Sequence, residues 1–237
     1  MMESILILGF LAGMRHATEA DHVAAVASLS AQSRSRGQVL RLGLLWGVGH
    51  TVTLFVVGFF VMTLNAMVPD HFSHGLEFAV GVMLVLLGGD LIVRLIRERI
   101  HFHIHGHGEG TRHFHAHSHA GEKTHKAANH KHPHGSGLSV RSLVVGMVHG
   151  LAGSAALIVI ALQTVPSVPM GLAYIGVFGV GSILGMGLLS TVISVPMQAA
   201  ARSMTWLYNG IKGALGGLTV FIGVTIIVHQ GGALGLF

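Results

Sequence analysis

No cysteine occurs in the 237 residues. Disulfides, thiolate metal sites and cysteine nucleophiles are therefore excluded. Charge is scarce as well: Asp, Glu, Lys and Arg make up 10% of the chain, against about a quarter in soluble domains. With a mean hydropathy of +0.68, the composition points to lipid as the solvent. No G-x-x-x-x-G-K-S/T and no H-E-x-x-H occurs, which excludes a P-loop ATPase and a zinc protease of that signature. The opening MMESILILGF lacks a basic n-region and a small-residue cleavage site, so no removable signal peptide is expected.

Apolar stretches long enough to cross about 30 Å of hydrocarbon as helices run over roughly 3–30, 40–66, 75–97, 139–164, 169–196 and 205–229. The expected fold is all-α: a polytopic membrane protein of six transmembrane helices. Its divisions are a first three-helix unit over 1–98, a histidine-rich loop over 99–138 and a second three-helix unit over 139–237. The 34 glycines suit closely packed membrane helices. A net charge of +5 reflects topology rather than nucleic-acid binding. If the termini lie on one side, Arg34, Arg36, Arg41, Arg94, Arg97, Arg99, Arg112, Lys123, Lys126, Lys131, Arg141 and Arg202 all fall on the other. The positive-inside rule makes that other side cytoplasmic and puts both termini outside, the expectation for a plasma-membrane protein embedded in the bilayer.

A weak internal repeat is present. GMRHATEADHVAAVASL (13–29) aligns without gaps to GMVHGLAGSAALIVIAL (146–162), pairing His16 with His149, and WGVGHT (46–51) aligns to FGVGSI (178–183). Three spans per unit is an odd number, so the two units are expected to insert as inverted repeats, a transporter arrangement with its site near the midplane.

Histidine is the outlier, with 19 copies, 12 of them between His101 and His134. The loop HFHIHGHGEGTRHFHAHSHAG carries His101, His103, His105, His107, His113, His115, His117 and His119 at His-x-His spacing. Low complexity predicts disorder, and neutral imidazoles at that spacing predict capture of divalent metal on the cytoplasmic side.

The second concentration lies inside the first span, where Arg15, His16, Glu19, Asp21 and His22 fall near its middle. Each ionisable group at the bilayer centre costs about 2.5–3.5 kcal/mol on insertion scales, so the group needs partners. Two readings stand: an internal ion-pair network around Arg15, or a divalent cation site. Imidazoles with a carboxylate form a borderline N/O set that suits Ni, Co or Zn better than Ca or Mg. On a straight helix Asp21 and His22 lie about 140° and 240° around from His16. Joint ligation by His16, Asp21 and His22 therefore predicts a broken helix near 16–22, with free carbonyls facing the cation and the carboxylate on a half-helix N-terminus. Glu19 is the candidate to orient an imidazole from behind. His50 is the next ligand candidate, and His149 follows through its repeat relation to His16. Asp90 and Glu77 lie near span ends and read as solvated or paired groups.

RHATEADHV closely resembles the R-H-A-x-D-A-D-H signature of the nickel/cobalt transporter (NiCoT) family. GVGHT resembles that family's L-G-H-S/T, and GMGLLST (185–191) is similar to a degenerate G-M-x-L-x-D-T. The resemblance implies metal binding by His16, Asp21, His22 and His50, with Ni2+, Co2+ or Zn2+ as transported substrate rather than resident cofactor. It implies no enzymatic activity, and a cytoplasmic nickel chaperone as a compatible partner. The chain departs from the family in having Glu19 for Asp, Ser190 for a later Asp and HGLAGSAAL for a carboxylate-rich motif. Six spans instead of eight resemble the shorter branch of urease-accessory-type nickel permeases. Nickel/cobalt efflux and zinc transport are the alternatives within the transporter class; an intramembrane metalloenzyme is the alternative outside it.

Overall fold

A computed structural model describes residues 2–33, 35–64, 69–97, 100–107, 111–118, 136–164 and 167–237. Among these residues seven helices carry the structure. They are α1 (Met2–His16), α2 (Ala20–Ser30), α3 (Arg36–Leu64), α4 (Asp70–Arg97), α5 (Ser136–Thr164), α6 (Val168–Ser203) and α7 (Thr205–Ala233). In hydrocarbon every backbone N–H and C=O must be satisfied within the segment, which is why apolar runs of this length fold as helices. Four of them, α3, α4, α6 and α7, are long and apolar enough to cross a membrane among the described residues. Helix α6 continues through Pro196 to Ser203, beyond the end that proline suggests, as membrane helices tolerate.

The first apolar stretch is not one helix. It is divided into α1 and α2 by a short non-helical link at Ala17–Glu19. Thr18 caps the end of α1 by donating both its backbone N–H (2.8 Å) and its hydroxyl (2.6 Å) to the carbonyl of Arg15. Glu19 then turns extended, with φ −65° and ψ 149°, to start α2. That short second piece is buried along Ala24–Ser30, among Trp46, Val80, Leu84, Leu87, Val145 and Met186.

Around α2, α4 lies along α7, α3 is packed between α5 and α6, and α1 rests on α6. These contacts depend on small residues. A Cβ on Gly13 would strike the carbonyl of Phe178 and one on Gly181 that of Phe10; a Cβ on Gly146 would strike the carbonyl of Trp46 and one on Gly49 that of Leu143. Under the alignment that pairs His16 with His149 and Trp46 with Phe178, the first two contacts exchange with the last two. Gly81 faces Gly223, and Gly88 faces Gly216, across the α4–α7 contact.

The two ends differ in charge. At one end Arg36 Nε donates to Gln198 Oε1 at 3.2 Å, while Asp90 accepts from Arg94 Nε at 2.9 Å and from Arg141 Nη1 at 2.6 Å. At the other, His74 Nδ1 and Gln230 Oε1 are 2.8 Å apart, and the Gln230 amide donates to the Glu77 carboxylate. Both Asp90 and Glu77 are thus paired.

The disorder expected of the histidine-rich loop is corrected over part of it. Ile100–His107 and Thr111–Ser118 form an antiparallel hairpin, β1 and β2, in which His101, His103 and His105 pair with His117, His115 and His113. The His-x-His repeat has the period of a strand, and Phe102, Ile104, Phe114 and Ala116 occupy the alternate positions. That is strand patterning with β-favouring residues rather than a featureless polar tract. His119 and the rest of the loop to Gly135 lie outside the described residues.

Candidate metal centre

The break in the first apolar stretch lets residues that a continuous helix would scatter face one another. His16 ends α1 with its Nδ1 3.0 Å from the Glu19 carboxylate. Asp21 and His22 open α2, where the helix N-terminus favours a carboxylate. Asp21 Oδ1 accepts from the His22 backbone N–H at 2.9 Å and lies 2.9 Å from His22 Nδ1. In each pair a carboxylate holds one ring nitrogen, which fixes the ring and leaves the other nitrogen available, as carboxylates behind metal-bound histidines do.

Two further histidines come from other helices. His50 lies midway along α3 and is fully buried, and His149 lies on α5 at 2% exposure. The His16 ring centroid is 4.4 Å from that of His22 and 5.2 Å from that of His50; His22 and His50 are 5.3 Å apart, and His22 and His149 4.7 Å. His149 Nε2 is 3.4 Å from Asp21 Oδ2, too poorly aligned for a hydrogen bond. Trp46 packs beside the cluster, 5.3 Å from His22 and 5.2 Å from His149 between ring centroids. His16, His22, His50 and His149 therefore form one group, together with Asp21 and with Glu19 at its edge.

The group has more lone pairs than partners. His22 Nε2 and both ring nitrogens of His50 and of His149 are buried without a hydrogen bond. A buried polar atom left unpaired costs about 1–3 kcal/mol, so a cluster of such nitrogens calls for a common partner. Two sets of three groups place one ligand atom each within 4.8 Å of one another: His16 with His22 and His50, and Asp21 with His22 and His149. Imidazole nitrogens with at most one carboxylate oxygen suit a late first-row divalent ion.

A cavity of about 210 Å³ reaches this group, lined by His16, Glu19, Asp21, His22 and His149 together with Glu77, Val80, Ile226 and Gln230. Arg15 is exposed, whereas His22, His50 and His149 are buried. Glu77 and Gln230 were not singled out as site residues from the sequence. The available signal was a carboxylate near the start of the apolar stretch 75–97, about two helical turns into α4.

The chain is 34% identical over 235 residues to the urease accessory protein UreH of Bacillus sp. (strain TB-90), covering 99% of this chain and 95% of that protein. It is also 24% and 26% identical to the chloroplast proteins FOR GROWTH AND FERTILITY 2 and FOR GROWTH AND FERTILITY 1 of Arabidopsis thaliana. It spans 55% and 56% of their lengths. No family profile matches the chain, and no solved structure matches it. The extent and identity of the first match place the chain in the family of the urease accessory protein UreH.

Proposed function

We propose that this protein is a secondary transporter that carries Ni2+, with Co2+ as the next substrate, into the cell through the centre formed by His16, Asp21, His22 and His50. The single observation that carries the reading is the gathering of unpartnered imidazoles from three separate helices around a broken helix. The resemblance to the nickel/cobalt transporters and the family relation to a urease accessory protein agree with it.

In this reading the bilayer is crossed six times, α1 and α2 together making the first crossing. Two inverted units, 1–98 and 139–237, are joined by the loop 99–138. The exchange of glycine contacts between α1–α6 and α3–α5 supports that symmetry. The gathering of Arg36, Arg94 and Arg141 at one end supports a cytoplasmic assignment for it. The cavity wall formed by Glu77 and Gln230 then belongs to the outer side of the plasma membrane, with both termini. The histidines of the loop capture the ion as it arrives in the cytoplasm, where a nickel chaperone is a compatible recipient. Inward movement of a divalent ion down 100 mV releases about 4.6 kcal/mol, so a carrier needs no nucleotide.

The test is accumulation of radioactive nickel in cells expressing the wild type or His16→Ala, with cobalt and zinc as competitors. Accumulation that rises with the wild type and disappears in the variant supports uptake. Lower nickel content with higher tolerance would make the protein an exporter, and no change in either direction would remove nickel as substrate.

A further inference from the structure

Building on the reading above, the geometry points to two alternative coordination positions for the ion that share His22. An outer position is formed by Asp21, His22 and His149, and an inner one by His16, His22 and His50. Both triads bring their ligand atoms within 4.8 Å of one another, but they differ in access. Asp21, His22 and His149 all line the 210 Å³ cavity; of the inner triad His16 and His22 line it, whereas His50 does not. Asp21 is 26% exposed at its side chain, while His50 is fully buried. An ion coming through the cavity can meet all three ligands of the outer triad, whereas the inner triad presents only His16 and His22 there and is completed by the buried His50.

The shared residue makes the positions mutually exclusive. A neutral imidazole carries a proton on one nitrogen and offers a lone pair from the other, so His22 serves one ion at a time. Asp21 fits both states. It is a ligand when the ion is in the outer position. When the ion moves inward, Asp21 Oδ1, 2.9 Å from His22 Nδ1, orients that ring from behind. His149, the repeat counterpart of His16, thereby becomes a ligand of the outer position. The ion passes between a set with one carboxylate and two imidazoles and a set with three imidazoles, and His22 never leaves it.

The experiment uses the purified full-length chain in lipid nanodiscs, with equilibrium dialysis of radioactive Ni2+ and the visible absorption of bound Co2+ as readouts. His22→Ala removes both positions but keeps the loop histidines, so it supplies the background. The wild type is expected to bind one ion above that background. His50→Ala and His149→Ala should each still bind one ion, about tenfold more weakly, with Co2+ spectra that differ from each other. The double variant should fall to background. His50→Gln and His149→Gln repeat the comparison with side chains that fill more of the space, and size-exclusion profiles confirm that each chain is folded. The proposal is overturned if His149→Ala leaves affinity and spectrum unchanged while His50→Ala abolishes binding, because a single inner site then accounts for everything. The reverse pattern, or two ions above background in the wild type, overturns it equally. Absence of nickel accumulation in cells together with the expected binding pattern would overturn the uptake reading and leave the two positions standing.

Discussion

Glu77 shows how one side chain can act on the ion without coordinating it. Its carboxylate accepts from Gln230, whose own carbonyl faces His74 Nδ1 at 2.8 Å, and it lines the same cavity as Asp21 and His149. A fixed negative charge there raises the local concentration of a divalent cation. Glu77→Gln keeps an acceptor for the Gln230 amide and removes only the charge. We expect KM for nickel uptake to rise about 3- to 10-fold, equivalent to about 0.7–1.4 kcal/mol, with Vmax unchanged. Steady-state uptake at varied nickel checks this, and a fall in Vmax alone would contradict it. Glu19 acts differently, through His16 Nδ1 at 3.0 Å. Glu19→Gln can still accept that hydrogen bond and should retain uptake, whereas Glu19→Ala frees the ring and should weaken nickel binding by about 10- to 100-fold, the usual cost of losing such an orienting partner.

At the scale of elements, what was legible in the sequence depended on whether a local signal had to compete with a stronger one. The break between α1 and α2 was legible because joint ligation by His16, Asp21 and His22 requires it: on a straight helix Asp21 and His22 lie about 140° and 240° around from His16. The hairpin was obscured because low complexity suggested disorder, while the period-2 alternation of His with Phe and Ile already carried the strand. Helix α6 runs past the apolar stretch 169–196 to Ser203, because the proline at 196 is tolerated in a membrane helix. Glu77 reads from the sequence as a solvated or paired group, and it is paired; that it also lines the cavity reaching the metal centre depends on α4 lying along α7. His149 was half-visible, through its alignment with His16. The helix contacts themselves yield a prediction. Gly13 touches the backbone of Phe178, which cannot move aside as a side chain would, whereas nothing lies within 4 Å of a Cβ placed on Gly89. Gly13→Leu should therefore lose at least about 1–3 kcal/mol by overpacking and lower the melting temperature of the detergent-solubilised protein. Gly89→Ala, in the middle of α4, should be neutral or stabilising by up to about 1 kcal/mol through helix propensity. Equal effects at the two positions would mean that α1 does not rest on α6.

For the whole molecule, orientation decides what the centre can accomplish. The cavity that reaches His22 is walled by Glu77 and Gln230, at the end of the bundle opposite to Arg36, Arg94 and Arg141. The basic end is tied together by Asp90, which links α4 to α5 through Arg141 at 2.6 Å. If that end is cytoplasmic, the centre faces outward and is closed toward the cell by the buried packing of Val26, Leu29 and Trp46; if it is external, the same arrangement describes an exporter loaded from inside. Because the chain has no cysteine, single cysteines can be placed without a background. His71→Cys and Leu236→Cys, both at exposed positions, should react with a membrane-impermeant maleimide on intact cells. Ser35→Cys and Gly137→Cys, also exposed, should react only after permeabilisation. The reverse pattern would turn the molecule over, place the cavity mouth in the cytoplasm and make outward movement of nickel the direction to test.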